Sequence, residues 1–553
     1  MLRSLRVKFF GARRWLLRIC FTFFFAYALV WALNANWTFT SVKATVSDQG
    51  EAQHLLQREL PKALRDDSGI DMPRVKAARF PAHLTKTKLV ETTSDPLAAE
   101  RRAFIKKMME HAWNGYKKYA WGFQELDPVA NGPRAGALFH AQGAKLGLTI
   151  IDALSTLHVM GMQDAFREGR EWVAENFKKD NFPSSVSVFE WNIRYVGGLL
   201  GAYALSKDEL FKEKAKEAAD FLLPAFNSAS GLPYSSVTKE GTAMPGPSAV
   251  LAEVGTLHLE FEYLSFITGN TTYADKVRRA REALRSKPKT EGLYTSEVHP
   301  DNANAETYGG KVSLGSLSDS FYEYLLKSWL LTDKKDNVAR EMYLDAVKAL
   351  EKKEVIKVGQ DGMVFAGELR LPGFGFAPIM DHFACFAGGM FALQATTMET
   401  EMSRIDRYMK FGRGIGKACH AGYAKTATGL GPDRITFAGN QVNSGGGFFQ
   451  RPEAVETWFY LWRLTKDSIY RSWAWDFVQA IETHTKTDSG YTGLNDVNVA
   501  AGKNNAMESF FLGETLKYLY LTFCDDDVLP LTQWVFNTEA HPLPVHQPNT
   551  LAT

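Results

Sequence analysis

The chain has 553 residues, of which 45% are apolar and 23% charged, and its formal charge is +2. This is ordinary for a globular protein. The near-neutral charge, with no dense basic stripe in the body, argues against nucleic acid as a partner. No internal linker divides the main body, so one large domain with an N-terminal appendage fits better than several equal domains. Aromatic residues make up 13%. That suits sugar stacking, although large helical cores use aromatics in the same way.

Residues 15–33 form an apolar run whose only charge is Arg18. As a helix it would span roughly the 30 Å hydrocarbon core of a bilayer. Arg3, Arg6, Lys8, Arg13 and Arg14 precede it without an intervening acid. The positive-inside rule therefore makes 1–14 a cytosolic tail, 15–33 a transmembrane signal anchor, and everything beyond it lumenal, a single-pass type II arrangement. A cleaved signal peptide is the rival reading. The run is longer than the usual apolar core of such a peptide, and its Trp31-Ala32-Leu33-Asn34 exit lacks a small-x-small cleavage site. In a lumenal setting Asn36-Trp37-Thr38 and Asn270-Thr271-Thr272 become glycosylation sequons. The polar stretch 34–95, with several prolines and no sustained helical period, reads as a stem.

From Pro96 to about residue 545 the pattern is helical, followed by a short tail, 546–553. Val254, Leu257, Phe261 and Leu264 recur at helical spacing, with Gly269 placed to end that helix. Ser318-Asp319 precedes the apolar run Phe321 to Leu331, and Pro452 suits the start of a helix carrying Val455, Phe459 and Trp462. Leu512, Leu516, Leu519 and Phe523 repeat the pattern. Strand patterns are short and rare, with one hairpin suggested over Ser489–Gly493. These signals define an all-α body. Spacing alone does not separate a closed toroid from an open solenoid.

Isolated acids on helices are mostly solvated, but some here keep unusual company. Glu190 lies between Phe189 and Trp191, with Arg194 four residues on, a spacing that a structural ion pair also explains. Glu453 follows Arg451-Pro452 in a first helical turn, where the dipole favours a carboxylate and a capping role is the plainer explanation. Asp319 is open to the same explanation. Near the C-terminus, Asn537-Thr538-Glu539-Ala540-His541 sets a hydroxyl, an amide, a carboxylate and an imidazole in an apolar frame. A threonine's hard oxygens suit Ca²⁺, and nearby carboxylates could hold its waters. A hydrogen-bonded structural role is the plainer one for His541. The four cysteines include Cys20 in the apolar run, which leaves Cys385, Cys419 and Cys524 for at most one intramolecular bridge. Their spacing does not resemble a zinc site.

Taken in order, these blocks resemble the class I α1,2-mannosidases, glycoside hydrolase family 47. The resemblance runs from about Ala103 to Leu543. It includes His111-Ala112-Trp113, Ile151-Asp152-Ala153-Leu154, Val188-Phe189-Glu190, Leu251-Ala252-Glu253, and Asp319-Ser320-Phe321-Tyr322-Glu323. Met380-Asp381-His382, Arg451-Pro452-Glu453, Glu508-Ser509-Phe510-Phe511 and the Phe536–Pro542 tail complete it. It implies an (α/α)₇ barrel closed at one end by a C-terminal β-hairpin, with Ca²⁺ at the base of a sugar pocket. It implies Thr538 as the calcium ligand and Glu539 beside it, and Glu190, Asp319 and Glu453 as the catalytic carboxylates. Arg194, Glu253, Leu317, Arg451, Glu508, Phe510 and Glu514 become substrate-binding residues, with Phe510 stacking on the terminal mannose. Cys385 and Cys419 match the family disulfide, leaving Cys524 outside it.

The reaction implied is inverting hydrolysis of terminal α1,2-linked mannose from high-mannose N-glycans. Glu453 is the expected base. Glu190, through a bridging water and helped by Asp319, is the expected acid, with the choice between those two open. Endoplasmic-reticulum members have Arg where this chain has Leu317. Leu at that position resembles the Golgi branch, which trims toward five mannoses, so a Golgi membrane is expected ahead of the endoplasmic reticulum. Trp191-Asn192 and Gln450 depart from the usual small or aliphatic neighbours. The competing expectation is a non-processing, mannose-binding relative acting in glycoprotein degradation. Such relatives typically carry a C-terminal extension, whereas this sequence stops soon after the Pro542 tail. The order of mannose removal and the oligomeric state leave no mark in the sequence.

Overall fold

The computed structural model describes residues 95–134, 145–301 apart from Pro245 and Pro247, and 310–547 apart from Gln360 and Asn440. The expected anchor 15–33, the stem and Asn36 lie outside the described residues. Among the described residues no helix is long and apolar enough to cross a membrane.

The helices come as inner and outer members of successive pairs. After α1 (Pro96–Tyr119) follow α2 (Leu148–Val159) with α3 (Gln163–Asn176), and α4 (Gly197–Ser206) with α5 (Glu209–Leu222). Next are α6 (His258–Thr268) with α7 (Thr272–Ser286), and α8 (Asp319–Leu331) with α9 (Asn337–Lys352). Then come α10 (Ala387–Thr397) with α11 (Met402–Ala424), α12 (Glu453–Thr465) with α13 (Ile469–His484), and finally α14 (Leu516–Thr522). The first member of each pair touches the first member of the next, from α2 through α4, α6, α8, α10 and α12 to α14. The turn Phe511–Thr515 before α14 returns to α2 and closes the ring, while α1 packs outside α14 as the seventh outer helix.

Composition assigns each helix to its layer. In α8 every residue from Ser320 to Leu331 is buried, and in α10 every residue from Ala387 to Thr396. Helices buried on every face belong inside, and in α8 the two buried charges, Glu323 and Lys327, pair with each other. Outer α7 buries Tyr273, Val277, Ala280 and Leu284, one stripe at helical spacing, and leaves its Lys and Arg residues largely to the other face. Close approach needs small residues. A Cβ on Gly388 of α10 would lie 2.5 Å from Thr457 of α12, and one on Gly412 of α11 would lie 2.8 Å from the Gly388 carbonyl. The Cys385–Cys419 disulfide, with Cα atoms 6.1 Å apart, fastens the same pair. Cys524 is buried outside that bridge.

Connections from inner to outer members are short, such as Lys207–Asp208 and Gly269–Thr271, and those leading into inner helices are long. The long connections hold more strand than the sequence pattern suggests. Three-stranded antiparallel sheets join Ser185–Ser187 to Ser236–Thr238 and Ala243–Met244, and Ile379–Asp381 to Arg434–Ala438 and Gln441–Gly445. These strands are two to five residues long, too short to show a period. The expected hairpin near Ser489 is present as Lys486–Thr487 paired with Gly490–Tyr491.

A second difference concerns the helix expected through Val254 and Leu264. It breaks between Leu251–Gly255 and α6. The Thr256 carbonyl accepts from Asn192 Nδ2 at 3.2 Å and its hydroxyl donates to Ser320 Oγ at 2.8 Å, so tertiary bonds override the local period. Gly269 ends α6 in the left-handed conformation, as expected (φ +71°).

Candidate active site

Because inner helices alternate with antiparallel outer ones, their N-termini share one end of the ring, the end carrying the long connections. Helix N-termini favour carboxylates. Asp319 is the first residue of α8 and Glu453 the first of α12. Glu190 sits in the turn before α4, where its amide is capped by Ser187 Oγ at 3.3 Å. From the opposite end an antiparallel hairpin, Trp534–Phe536 with Pro542–Pro544, enters the ring. Two residues beyond it, His546 stacks on Phe266 near the C-terminus of α6, and its amide donates to Leu331 O at the end of α8.

Glycines of α4 make room for the hairpin tip. A Cβ on Gly197 would lie 2.5 Å from Asn537 Nδ2, and one on Gly201 3.2 Å from His541 Cβ. Asn537 organises the tip. Its Oδ1 accepts from the amides of Glu539 and His541 at 3.0 and 2.8 Å, and its Nδ2 donates to Glu260 Oε1 at 2.7 Å and to Ile193 O at 3.0 Å. Thr538 and Glu539 are thereby presented to a cavity of about 480 Å³.

All the candidate pocket residues from the sequence line that one cavity: Glu190, Arg194, Glu253, Leu317, Asp319, Arg451, Glu453, Glu508, Phe510, Glu514, Thr538 and Glu539. Asn270 is not among its lining residues and is exposed in the turn between α6 and α7. Cys385 and Cys419 form the disulfide. His541 is buried, with Nε2 3.6 Å from Asp152 and Nδ1 3.4 Å from Ser155 Oγ.

Arg194 is the hub. It sits in a π-helical turn, Trp191–Val196, a widened geometry often found at functional sites. Its Nε donates to Glu190 at 2.8 Å, its other nitrogens reach Glu539 at 2.8 and 3.0 Å, and Asp152 lies 3.5 Å away. Burial opposes its charge, but Glu539, Glu190 and Asp152 together hold it firmly protonated. A second π-helical turn, Phe511–Thr515, carries Glu514. Burial, then Glu539 and Glu453, raises the Glu514 carboxyl far above the ordinary range, and Glu539 is raised too, with Glu514 and Glu539 hydrogen-bonded. Two buried acids so placed hold a proton between them. Asp319 is pushed up to about 8 by burial, with Asp381, Glu453 and Glu323 adding repulsion.

Backbone strain gathers here. Leu317 (φ +75°), Gln450 (φ +61°) and Ala540 (φ +55°) are all left-handed. Leu317 is held by its carbonyl, which accepts from the Ala252 amide at 3.0 Å, and the residue is 47% exposed.

Sequence reasoning missed two partners. His382, quoted only within a motif, places Nδ1 2.6 Å from Glu453 Oε2 and Nε2 2.7 Å from the Tyr423 hydroxyl. The carboxylate is therefore oriented by a side chain rather than only by its helix. Glu125 also lines the cavity, pushed up to about 8 by burial and by Glu508. Arg134, its partner across a short hairpin, lies 3.7 Å away, but Glu508 and Ser509 reach it from a distant segment, so its place in the cavity leaves no local mark.

The Thr538 oxygens bear on calcium. Neither its hydroxyl nor its carbonyl has a hydrogen-bond partner among the described residues, while its amide donates to the Tyr324 hydroxyl oxygen at 3.4 Å. Among the described residues no group of three or more His, Cys, Asp or Glu is arranged as metal ligands. A cation here would rest on Thr538's hard oxygens, with carboxylates reaching it through water, a donor chemistry that fits Ca²⁺.

A carboxylate-walled cavity of sugar size, with several of its acids raised toward the protonated form by burial, is the equipment of a glycoside hydrolase. The chain belongs to glycosyl hydrolase family 47, which matches residues 108–545. It is 46% identical over 464 residues to mannosyl-oligosaccharide 1,2-alpha-mannosidase IA of Sus scrofa, covering 82% of this chain and 69% of that protein. It is 45% identical over 468 residues to mannosyl-oligosaccharide 1,2-alpha-mannosidase IB of Homo sapiens, covering 82% and 71%. Among solved structures it is similar to the alpha-1,2-mannosidase from Trichoderma reesei, with a TM-score of 0.73 and 28% identity, covering 81% of this chain and 99% of that one.

Proposed function

We propose that this chain is a calcium-dependent, inverting hydrolase of terminal α1,2-linked mannose on high-mannose N-glycans, trimming toward the five-mannose form. The observation that carries this reading is the meeting of Glu190, Asp319 and Glu453 with Thr538 in one cavity. The family and the names of its relatives support the substrate. The ring of paired helices with its inserted hairpin corresponds to the (α/α)₇ barrel that the family resemblance implies.

In this reading Glu453, aligned by His382, takes the proton from the attacking water. Asp319 is the better-supported proton donor, because burial keeps its carboxyl protonated at neutral pH. Glu190, tied to Arg194, serves to fix the charge balance of the site and to orient the sugar or a bridging water. Acid and base act on opposite ring faces, which inverts the anomeric centre. Thr538 would hold the Ca²⁺, which supplies positive charge for sugar hydroxyls and water. Glu514 and Glu539, sharing a proton, would accept and donate hydrogen bonds to those hydroxyls.

The apolar run 15–33 with its basic flank supports a type II anchor, with the body in the Golgi lumen and Asn270 and Asn36 as glycan acceptors. The test is to incubate the full-length protein with a nine-mannose glycan, with and without a calcium chelator. Loss of several mannoses down to five, abolished by chelation, is expected. Arrest after one mannose contradicts the trimming range, and chelator-resistant activity contradicts the calcium.

A further inference from the structure

We propose that Phe449 is a specificity-determining platform at the cavity mouth, stacking against the sugar ring on the leaving-group side of the scissile bond. The inference rests on reading the cavity as an α-mannosidase site.

The floor of the cavity is buried at Glu514 and Glu539, and Phe510 beside them is half-buried. A terminal sugar entering to that depth leaves its neighbour at the mouth, where Phe449 is 36% exposed. A large ring exposed on a cavity wall needs something to hold it, and here the backbone does so. Phe448 and Leu494 exchange backbone hydrogen bonds at 2.8 and 2.9 Å, and Phe448 is buried. Consecutive residues of an extended segment point opposite ways, so Phe449 faces the cavity. Its ring rests on Gly447, where a Cβ would lie 2.8 Å from Phe449 Cζ.

The next residue locks the other side. Gln450 takes the left-handed conformation, its Oε1 accepts from the Glu508 amide at 2.9 Å, and its carbonyl accepts from Thr515 Oγ1 at 2.6 Å. Arg451 then lies between two rings, 4.0 Å from the Phe383 centroid and 5.8 Å from that of Phe449. Its Nε donates to Asp433 at 2.5 Å, and its two terminal nitrogens have no protein hydrogen-bond partner among the described residues. A pinned guanidinium supplies donors for sugar hydroxyls, and a fixed aromatic face covers the C–H face of a pyranose. Both parts of sugar recognition are therefore present at the mouth, already ordered. Binding energy collected there contributes to turnover of extended substrates and gives nothing to a ligand of one ring.

The test uses full-length wild type, Phe449→Ala, Phe449→Leu and Phe449→Tyr. For each, kcat/KM is measured on α1,2-mannobiose and on the nine-mannose glycan, and the inhibition constant of a single-ring, mannose-configured iminosugar is recorded. Phe449→Ala and Phe449→Leu should lose about fivefold to tenfold in kcat/KM on both substrates, while Phe449→Tyr stays within about twofold. The iminosugar constant should not change in any variant. Substrate kinetics unchanged in Phe449→Ala, or a parallel loss of iminosugar binding in both Ala and Leu variants, overturns the proposal. A wild-type chain that binds the iminosugar but cleaves neither substrate overturns the parent reading and this one with it.

Discussion

His382 Nδ1 stands 2.6 Å from Glu453 Oε2, and its other ring nitrogen meets the Tyr423 hydroxyl at 2.7 Å. Burial keeps the Tyr423 phenol protonated, so it can donate to Nε2 while Nδ1–H donates to Glu453. One Glu453 oxygen is thereby committed, and the other is left for the cavity. Replacing His382 by Ala should lower kcat about 10- to 100-fold with KM nearly unchanged, since the group acts through the base and not on the sugar. Tyr423→Phe should show a smaller loss of the same kind in steady-state kinetics.

The Asp319 carboxyl gives a signed pH prediction. With its pKa raised to about 8, the protonated acid is present below that pH and lost above it. If Asp319 delivers the proton, kcat/KM falls as pH rises through about 8, and Asp319→Asn removes that alkaline limb along with most of the rate. Stability follows the same sign. The folded carboxyl binds its proton more tightly than the unfolded one. Its contribution is therefore full below the ordinary Asp range and fades as pH climbs toward 8. Thermal unfolding of wild type and Asp319→Asn at several pH values reads this difference directly.

Arg194 balances Glu190, Glu539 and Asp152 inside the ring. Removing it as Arg194→Met leaves buried carboxylates uncompensated and should destabilise the fold by about 3–5 kcal/mol. Arg194→Lys should rescue little, because a point charge cannot reach Glu190 and Glu539 from one planar fork. Denaturant unfolding of the three proteins measures this.

The Cys385–Cys419 bridge closes a separation of 34 residues between the turn that leads into α10 and helix α11. Loop-closure entropy for that length is about 3–4 kcal/mol. Cys385→Ser should lower the melting temperature by a matching amount and leave the kinetics of the surviving folded enzyme close to wild type.

Much of the ring is legible in sequence, because burial and helical period report the same fact. Apolar runs such as Phe321–Leu331 read as helices, and Asp319 and Glu453 are visible as acids opening them. The connections were hard to read, since strands of two or three residues carry no period. So was the break at Thr256, which depends on Asn192 and Ser320 from other elements. His382 is 71 residues from Glu453, so only the Ile379–Asp381 and Arg434–Ala438 pairing shows how it comes to face that carboxylate. The tip residue Thr538 stood out by its donors. The glycines of α4 that admit it did not.

The most direct measurement follows released mannose by proton NMR, with wild type and Glu453→Gln acting on the nine-mannose glycan. The wild type is expected to release β-mannose first, and the variant, with its fold intact, to turn over about 10²- to 10⁴-fold more slowly. An α-anomer appearing first, or near-normal turnover by Glu453→Gln, would contradict an inverting reaction with Glu453 as its base.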